Sequence, residues 1–273
     1  MPDLNPDLPG ATPWPPASAE RLAHLAGVAG VLTDIDDTLT RDGAIEPAAM
    51  SALHALARAR LPVIAITGRP AGWSEPFALA WPVAGIVAEN GGVMLRRAAD
   101  GTLQRDFAQG PAERAANWQR LQACAAAVLR EVPGATLAHD SAGRLTDIAV
   151  DHSEFAHLNP AQIDAVCEVM RSHGLTATVS SIHVNGWIGT HSKWSAAEWA
   201  VAALTGRPFV PADWLYVGDS TNDQMMFERL PLSVGVANIA RFWRELRVKP
   251  AWVTRGERGE GFAEVAAALL AAR

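Results

Sequence analysis

The 273-residue sequence is poor in several features that would assign it to common classes. Cys124 and Cys167 are its only cysteines, too few for a disulfide framework and without metal-ligand spacing, so a reduced, cytoplasmic setting is expected. No uninterrupted apolar run reaches the roughly 18 residues of a membrane span. The Met-Pro-Asp-Leu-Asn-Pro start has neither the basic nor the apolar region of a secretory signal, so no membrane role is expected. Basic residues number 23 against 29 acidic ones, a formal net charge of −6. That balance argues against nucleic-acid binding, which needs a basic footprint. It leaves room for an anionic small molecule, because a bound divalent cation can reverse the local field. Lysine is scarce too: Lys193 and Lys249 are the only two.

What is present is apolar. Nearly half the residues, 49%, are hydrophobic, and the length suits one main domain plus an insert. Prolines at 2, 6, 9, 13, 15 and 16 deny residues 1–18 helix and ladder hydrogen bonds, so this tail is expected to be disordered or loosely docked. Ser18 can cap a short helix reaching about Leu25, with Leu22 and Leu25 facing inward.

Val28 to Leu32 is an apolar, β-prone run that leads into Asp34, Asp36 and Asp37. It reads as a buried parallel strand delivering carboxylates to its C-terminal end, where open α/β sheets place their chemistry. Alternation lets Asp34 and Asp36 share one crevice while Ile35 turns to the core. Like charges so close repel unless a cation or a shared proton compensates them. Mg²⁺ answers that need, since it takes hard oxygen ligands and keeps waters that a phosphate can replace. A helix from Pro47 to Arg60 follows, then a strand from Leu61 to Ile66 ending in Thr67-Gly68-Arg69-Pro70. A right-handed βαβ unit of this size puts Thr67 beside Asp34 at one sheet edge. The hydroxyl and the glycine could hold a phosphoryl oxygen; the same four residues also make an ordinary turn.

Val83 to Ala88 reads as a third strand, and Glu89-Asn90-Gly91-Gly92 as a hairpin turn leading into Val93, Met94 and Leu95. From about Arg96 to Gly186 the rhythm changes: a helix over Glu113–Arg130, a strand over Arg144–Asp151, a helix over Pro160–His173 and a strand region over Leu175–Asn185. Ser181, His183 and Asn185 alternate there, forming either a ligand-binding face or a solvated one. His152, Glu154 and His157 fit no standard ligand spacing and read as surface residues. Lys193 stands before a helix from Trp194 to Leu204. Trp214 to Val217 is the last clear core strand, and it ends in Gly218-Asp219-Ser220-Thr221-Asn222-Asp223. A second strand ending in carboxylates is hard to explain by stability alone.

Asp34-x-Asp36-x-Thr38, Thr67-Gly68-Arg69-Pro70, Lys193 and Gly218-Asp219-x-x-Asn222-Asp223, in this order, resemble the four motifs of the haloacid dehalogenase (HAD) superfamily. The Cof-type, class IIB branch is the nearest in pattern. In one place the chain departs from it: a small residue, most often glycine, usually follows the motif lysine, and here Trp194 stands there. The resemblance implies an α/β fold, a Rossmann-like doubly wound parallel sheet core (residues 19–95 and 187–273) with an inserted α+β, C2-type cap domain (residues 96–186). It also implies a Mg²⁺-dependent phosphohydrolase acting on a small-molecule phosphate ester, commonly a sugar phosphate. By that pattern Asp34 is the nucleophile and Asp36 the general acid and base. Thr67, Gly68 and Lys193 hold the phosphoryl group. Asp34, the Asp36 carbonyl, Asp219 and Asp223 serve the metal, with Asn222 behind them. Arg69, Asn90, Ser181, His183 and Asn185 are the expected substrate contacts. A phosphomannomutase-like phosphotransferase and a non-catalytic phospho-ligand binding module are the alternatives. Oligomeric state is not legible.

Overall fold

A computed structural model describes residues 8–16 and 24–273; Ser18 and Leu22, the expected cap and inward-facing leucine, lie outside the described residues. In chain order the strands are β1 (Gly30–Thr33), β2 (Thr40–Arg41), β3 (Ala44–Ile45), β4 (Val63–Ile66), β5 (Gly85–Ala88), β6 (Val93–Arg97), β7 (Leu103–Phe107), β8 (Thr136–Leu137), β9 (Asp147–Asp151), β10 (Thr176–Val179), β11 (His183–Trp187), β12 (Trp214–Gly218), β13 (Leu232–Gly235) and β14 (Trp252–Val253). The helices are α1 (Pro47–Arg58), α2 (Ala71–Ala80), α3 (Pro111–Glu131), α4 (Pro160–Ser172), α5 (Lys193–Thr205), α6 (Gln224–Arg229) and α7 (Arg258–Ala271). The chain forms two compact units. One comprises the residues up to Thr67, Ala80–Ile86 and Ala197–Arg273; the other comprises Gly68–Leu79 and Val87–Ala196.

The first unit is built on a parallel sheet in the order β14-β13-β12-β1-β4 with β5 next to β4. β1, β4, β12 and β13 are buried along their whole length. Strands covered on both faces need such continuous apolar runs, and this is why the sequence pattern reads clearly here. Gly30 pairs with Trp214 across β1 and β12. A Cβ at Gly30 would lie 2.3 Å from the Trp214 ring, so only glycine leaves room for that side chain. After β1 the chain makes a small β2–β3 hairpin through Asp42 and Gly43, both left-handed, the Asp-Gly signature of a tight hairpin turn. α1 packs against α7.

The second unit contains the β6–β7 antiparallel ribbon and a four-stranded antiparallel sheet ordered β10-β11-β9-β8. α3 and α4 pack against that sheet, with Leu121, Cys124, Val128, Val166 and Met170 meeting Ile148, Val150 and Val184 in one core. Alternation sends Asp147, Ala149, Asp151, His183, Asn185 and Trp187 to the other face, and all six are buried.

The proline-rich tail corrects the expectation of disorder or loose docking over residues 8–16. Pro13 bridges β14 in parallel at Val253. The Trp14 amide donates to the Val253 carbonyl and the Val253 amide to the Thr12 carbonyl, each at 2.8 Å. Proline can serve at an edge because one side of an edge strand needs no ladder donor. Trp14 is 1% exposed and packs edge-on against Trp252, centroids 5.8 Å apart. Trp14→Ala is therefore expected to destabilise the protein by about 3 kcal/mol in denaturant unfolding; a loss below about 0.5 kcal/mol would show that the segment is not part of the core.

Candidate active site

Asp34 is the first residue beyond β1 and Asp219 the first beyond β12, and these strands are neighbours with Thr33 opposite Val217. The Asp34 amide donates to the Val217 carbonyl at 2.9 Å. Asp223 joins them because Thr221–Asp223 makes a single helical turn with Ser220 as its cap. Asp34, Asp219 and Asp223 are buried, and one ligand atom from each lies within 4.8 Å of the others; among the described residues this is the only such cluster. Three hard anionic oxygens this close, out of water, suit a small divalent cation. Thr67, fully buried, follows β4, the strand on the other side of β1. Asp36 and Asn222 are half-buried, and Asn222 accepts a hydrogen bond from the Ser220 hydroxyl at 2.8 Å.

The carboxylates are aimed by residues outside the motifs. The Tyr216 hydroxyl, deep in β12, donates to Asp223 Oδ1. Burial, and then the carboxylates around it, push that hydroxyl well above its ordinary pKa, so it remains a donor. Asp223 Oδ2 accepts from the amides of Asp219 and Ser220 at 2.9 and 3.1 Å. Gly218 permits this, since a Cβ there would stand 2.5 Å from the same oxygen. Asn238 Nδ2 donates both to Asp219 Oδ2 at 3.2 Å and to the Asp37 carbonyl at 2.9 Å. Arg258 secures Asp37, a left-handed residue with φ 53, through Nε to Oδ1 at 2.6 Å. The loop after β1 and the one after β12 are thus tied through one amide. Sequence reading gave no site role to Tyr216, Asn238 or Arg258: Tyr216 reads as one more core-strand residue, and Asn238 and Arg258 reach Asp37 only across more than 200 residues of chain.

The remaining expected residues belong to the second unit. Lys193 opens α5 and is 4% exposed. The Gly68 carbonyl accepts from Asn185 Nδ2 and Arg144 Nη1, both at 3.1 Å. Arg69 grips Glu154 through both terminal nitrogens, at 2.8 and 3.3 Å, and reaches Asp140 at 3.1 Å. His183 Nε2 lies 3.0 Å from the same Glu154 carboxylate. Burial opposes the charge of Glu154, but hydrogen bonds from His183 and Arg69 outweigh it and bring its pKa down to about 2. His183 and Asn185 therefore share a buried polar face rather than a solvated one. Ser181 is not part of it. It lies in the turn between β10 and β11, closed by the Ser180 amide on the His183 carbonyl at 2.8 Å, so the expected three-residue alternation begins only at His183. His152 donates to the Ser180 carbonyl at 3.0 Å, and its pKa is lowered by burial.

No protein-family model matches this sequence, and no curated protein matches it either. Solved structures do. The Synechocystis sucrose-phosphatase, determined with sucrose and phosphate, is 16% identical with a TM-score of 0.64, over 89% of this chain and 98% of that one. The C-terminal domain of the C. albicans trehalose-6-phosphate phosphatase is 15% identical, TM-score 0.64, over 96% and 99%. A HAD/COF-like hydrolase from Plasmodium vivax is 15% identical, TM-score 0.64, over 97% of each chain.

The fold is that of the HAD phosphatases. Within this HAD-type fold the acidic cluster stands at the strand ends of the parallel sheet, and the Glu154 network lies on the buried face of the antiparallel one.

Because folding depresses the Glu154 pKa, its contribution is complete above the unfolded value of 4.5 and is lost as pH falls through about 2. Glu154→Gln is expected to cost on the order of 2 kcal/mol near neutral pH, the gap to wild type closing as pH is lowered toward about 2. Denaturant titrations at several pH values measure this, and a gap independent of pH would contradict the assignment.

Proposed function

We propose that this protein is a Mg²⁺-dependent phosphoric monoester hydrolase for a small phosphorylated metabolite, with a sugar phosphate as the favoured class. The reading is carried by the buried Asp34–Asp219–Asp223 cluster at the strand ends of a HAD-type sheet. It is supported by fold likeness to phosphatases whose own substrates are sucrose and trehalose phosphates. In this reading residues 19–95 and 187–273 act as the catalytic core and residues 96–186 as the cap.

Asp34, Asp219, Asp223 and the Asp36 carbonyl would hold the metal, with Asn222 ordering its surroundings. A bound Mg²⁺ supplies positive charge where carboxylate and phosphate must meet. The Asp34 carboxylate attacks phosphorus, forming an acyl-phosphate bond as the bond to the leaving alkoxide breaks. Asp36 gives that alkoxide its proton and later takes one from the water that attacks the acyl-phosphate. Inorganic phosphate leaves and Asp34 is regenerated. Thr67, the Gly68 amide and Lys193 bind the phosphoryl oxygens. Arg69 and Asn185 act by fixing the Gly68–Arg69 loop.

Phosphate release from a panel including sucrose and trehalose phosphates, with and without Mg²⁺, tests this reading. Activity should require the metal, and Asp34→Asn should lose on the order of 10³-fold or more while its circular dichroism is unchanged. Turnover retained in that variant would refute the role of Asp34.

A further inference from the structure

Asn90 is 2% exposed, and its side-chain amide nitrogen has no hydrogen-bond partner. Burying an amide donor unpaired costs about 1–3 kcal/mol, and folded proteins seldom leave one so. The backbone that presents it is also costly. Glu89 and Asn90 are both left-handed, φ 54 and 53, and Gly91 follows at φ 115. Side chains rarely adopt this conformation, and consecutive instances persist only where the surroundings enforce them.

Here Glu89 enforces them. Its carboxylate is fully buried and accepts from the Ala71 amide at 2.9 Å, the Leu145 amide at 3.0 Å, and the Thr146 amide and hydroxyl, both at 2.6 Å. Its own amide donates to the Arg69 carbonyl at 3.0 Å. Three chain segments are thereby pinned around a single strained turn. The unpaired amide points toward Gly68: a Cβ built there would meet Asn90 Nδ2 at 3.3 Å and Asn185 Oδ1 at 3.2 Å. Of these two amides Asn185 already donates to the Gly68 carbonyl, whereas that of Asn90 is uncommitted. The arrangement is a cradle that a Cβ at Gly68 would crowd, with one donor looking into it.

We propose that Asn90 is a ligand-contacting residue whose Nδ2 donates to an oxygen of the phosphate group bound at Gly68, and that strain and an unpaired donor are maintained in the free protein for this purpose. The inference rests on the phosphatase reading, which places the phosphoryl group at the Gly68 amide. A donor to an anionic oxygen is worth more than one to a neutral oxygen, so phosphate rather than a sugar hydroxyl is the partner.

Asn90→Gly separates this from a structural role. Glycine accepts the left-handed conformation and removes the orphaned donor, so the heat-unfolding midpoint without ligand should hold or rise. Inorganic phosphate, titrated calorimetrically in the presence of Mg²⁺, should bind about tenfold more weakly. Asn90→Asp keeps the shape but turns an oxygen to the anion, and should weaken binding further. Phosphate affinity within twofold of wild type in both variants would overturn the proposal, leaving an ordered water as the partner of Nδ2 while the phosphatase reading stands. A wild-type protein that does not bind phosphate at all would remove both.

Discussion

Mutual repulsion among carboxylates held out of water is the constraint from which the rest follows. Asp34 and Asp219 come from strands far apart in sequence, and the parallel pairing of β1 with β12 sets them side by side. Asp223 is turned into the same spot by a one-turn helix, by the Tyr216 hydroxyl and by two backbone amides. A fold does not gather three such groups for stability, because each costs desolvation and each opposes the others. Donors aimed from outside, with Asn238 tying Asp219 to the loop after β1, keep the cluster rigid. Such a cluster is ready for a small cation without rearrangement.

The antiparallel sheet of the second unit solves a related problem. One face is an ordinary apolar core under α3 and α4. The opposite face buries Asp147, Asp151, His183 and Asn185, and nearly every polar group on it has a committed partner. Asp151 accepts from four consecutive amides, Ser153 to Ala156, which fixes the loop carrying Glu154. Arg144 Nη1 donates to both oxygens of Asp147, 2.8 Å to each, while burial raises the Asp147 pKa. Partly satisfied networks are costly. Against that background the uncommitted amide of Asn90, one of a few buried polar atoms without a partner, stands beside Gly68 and asks for a ligand.

The core strands were legible because a strand buried on both faces must be apolar throughout, and the acidic residues at their ends stood out against that run. Helices α1 and α4 followed from spacing, since each buries one stripe, and α3 and α5 from alanine-rich composition. α2 was not read: Pro76 lies inside it, and proline argues against helix until packing overrides propensity. The β2–β3 hairpin carried its Asp42-Gly43 signature, yet strands of two residues give no periodicity to find. β7 was missed because its burial is partial and its residues are mostly polar. Ser181 was misplaced because alternation was extended through a turn. Tyr216, Asn238, Arg258 and Glu89 were invisible as site residues for a different reason: each acts through a partner brought near only by folding.

Crystals grown with Mn²⁺ in place of Mg²⁺ test the central claim most directly. An anomalous-difference map should show one strong peak at coordinating distance from carboxylate oxygens of Asp34 and Asp219, with Asp223 beside it. A map from metal-saturated crystals with no peak there, the three carboxylates unchanged, would contradict the account.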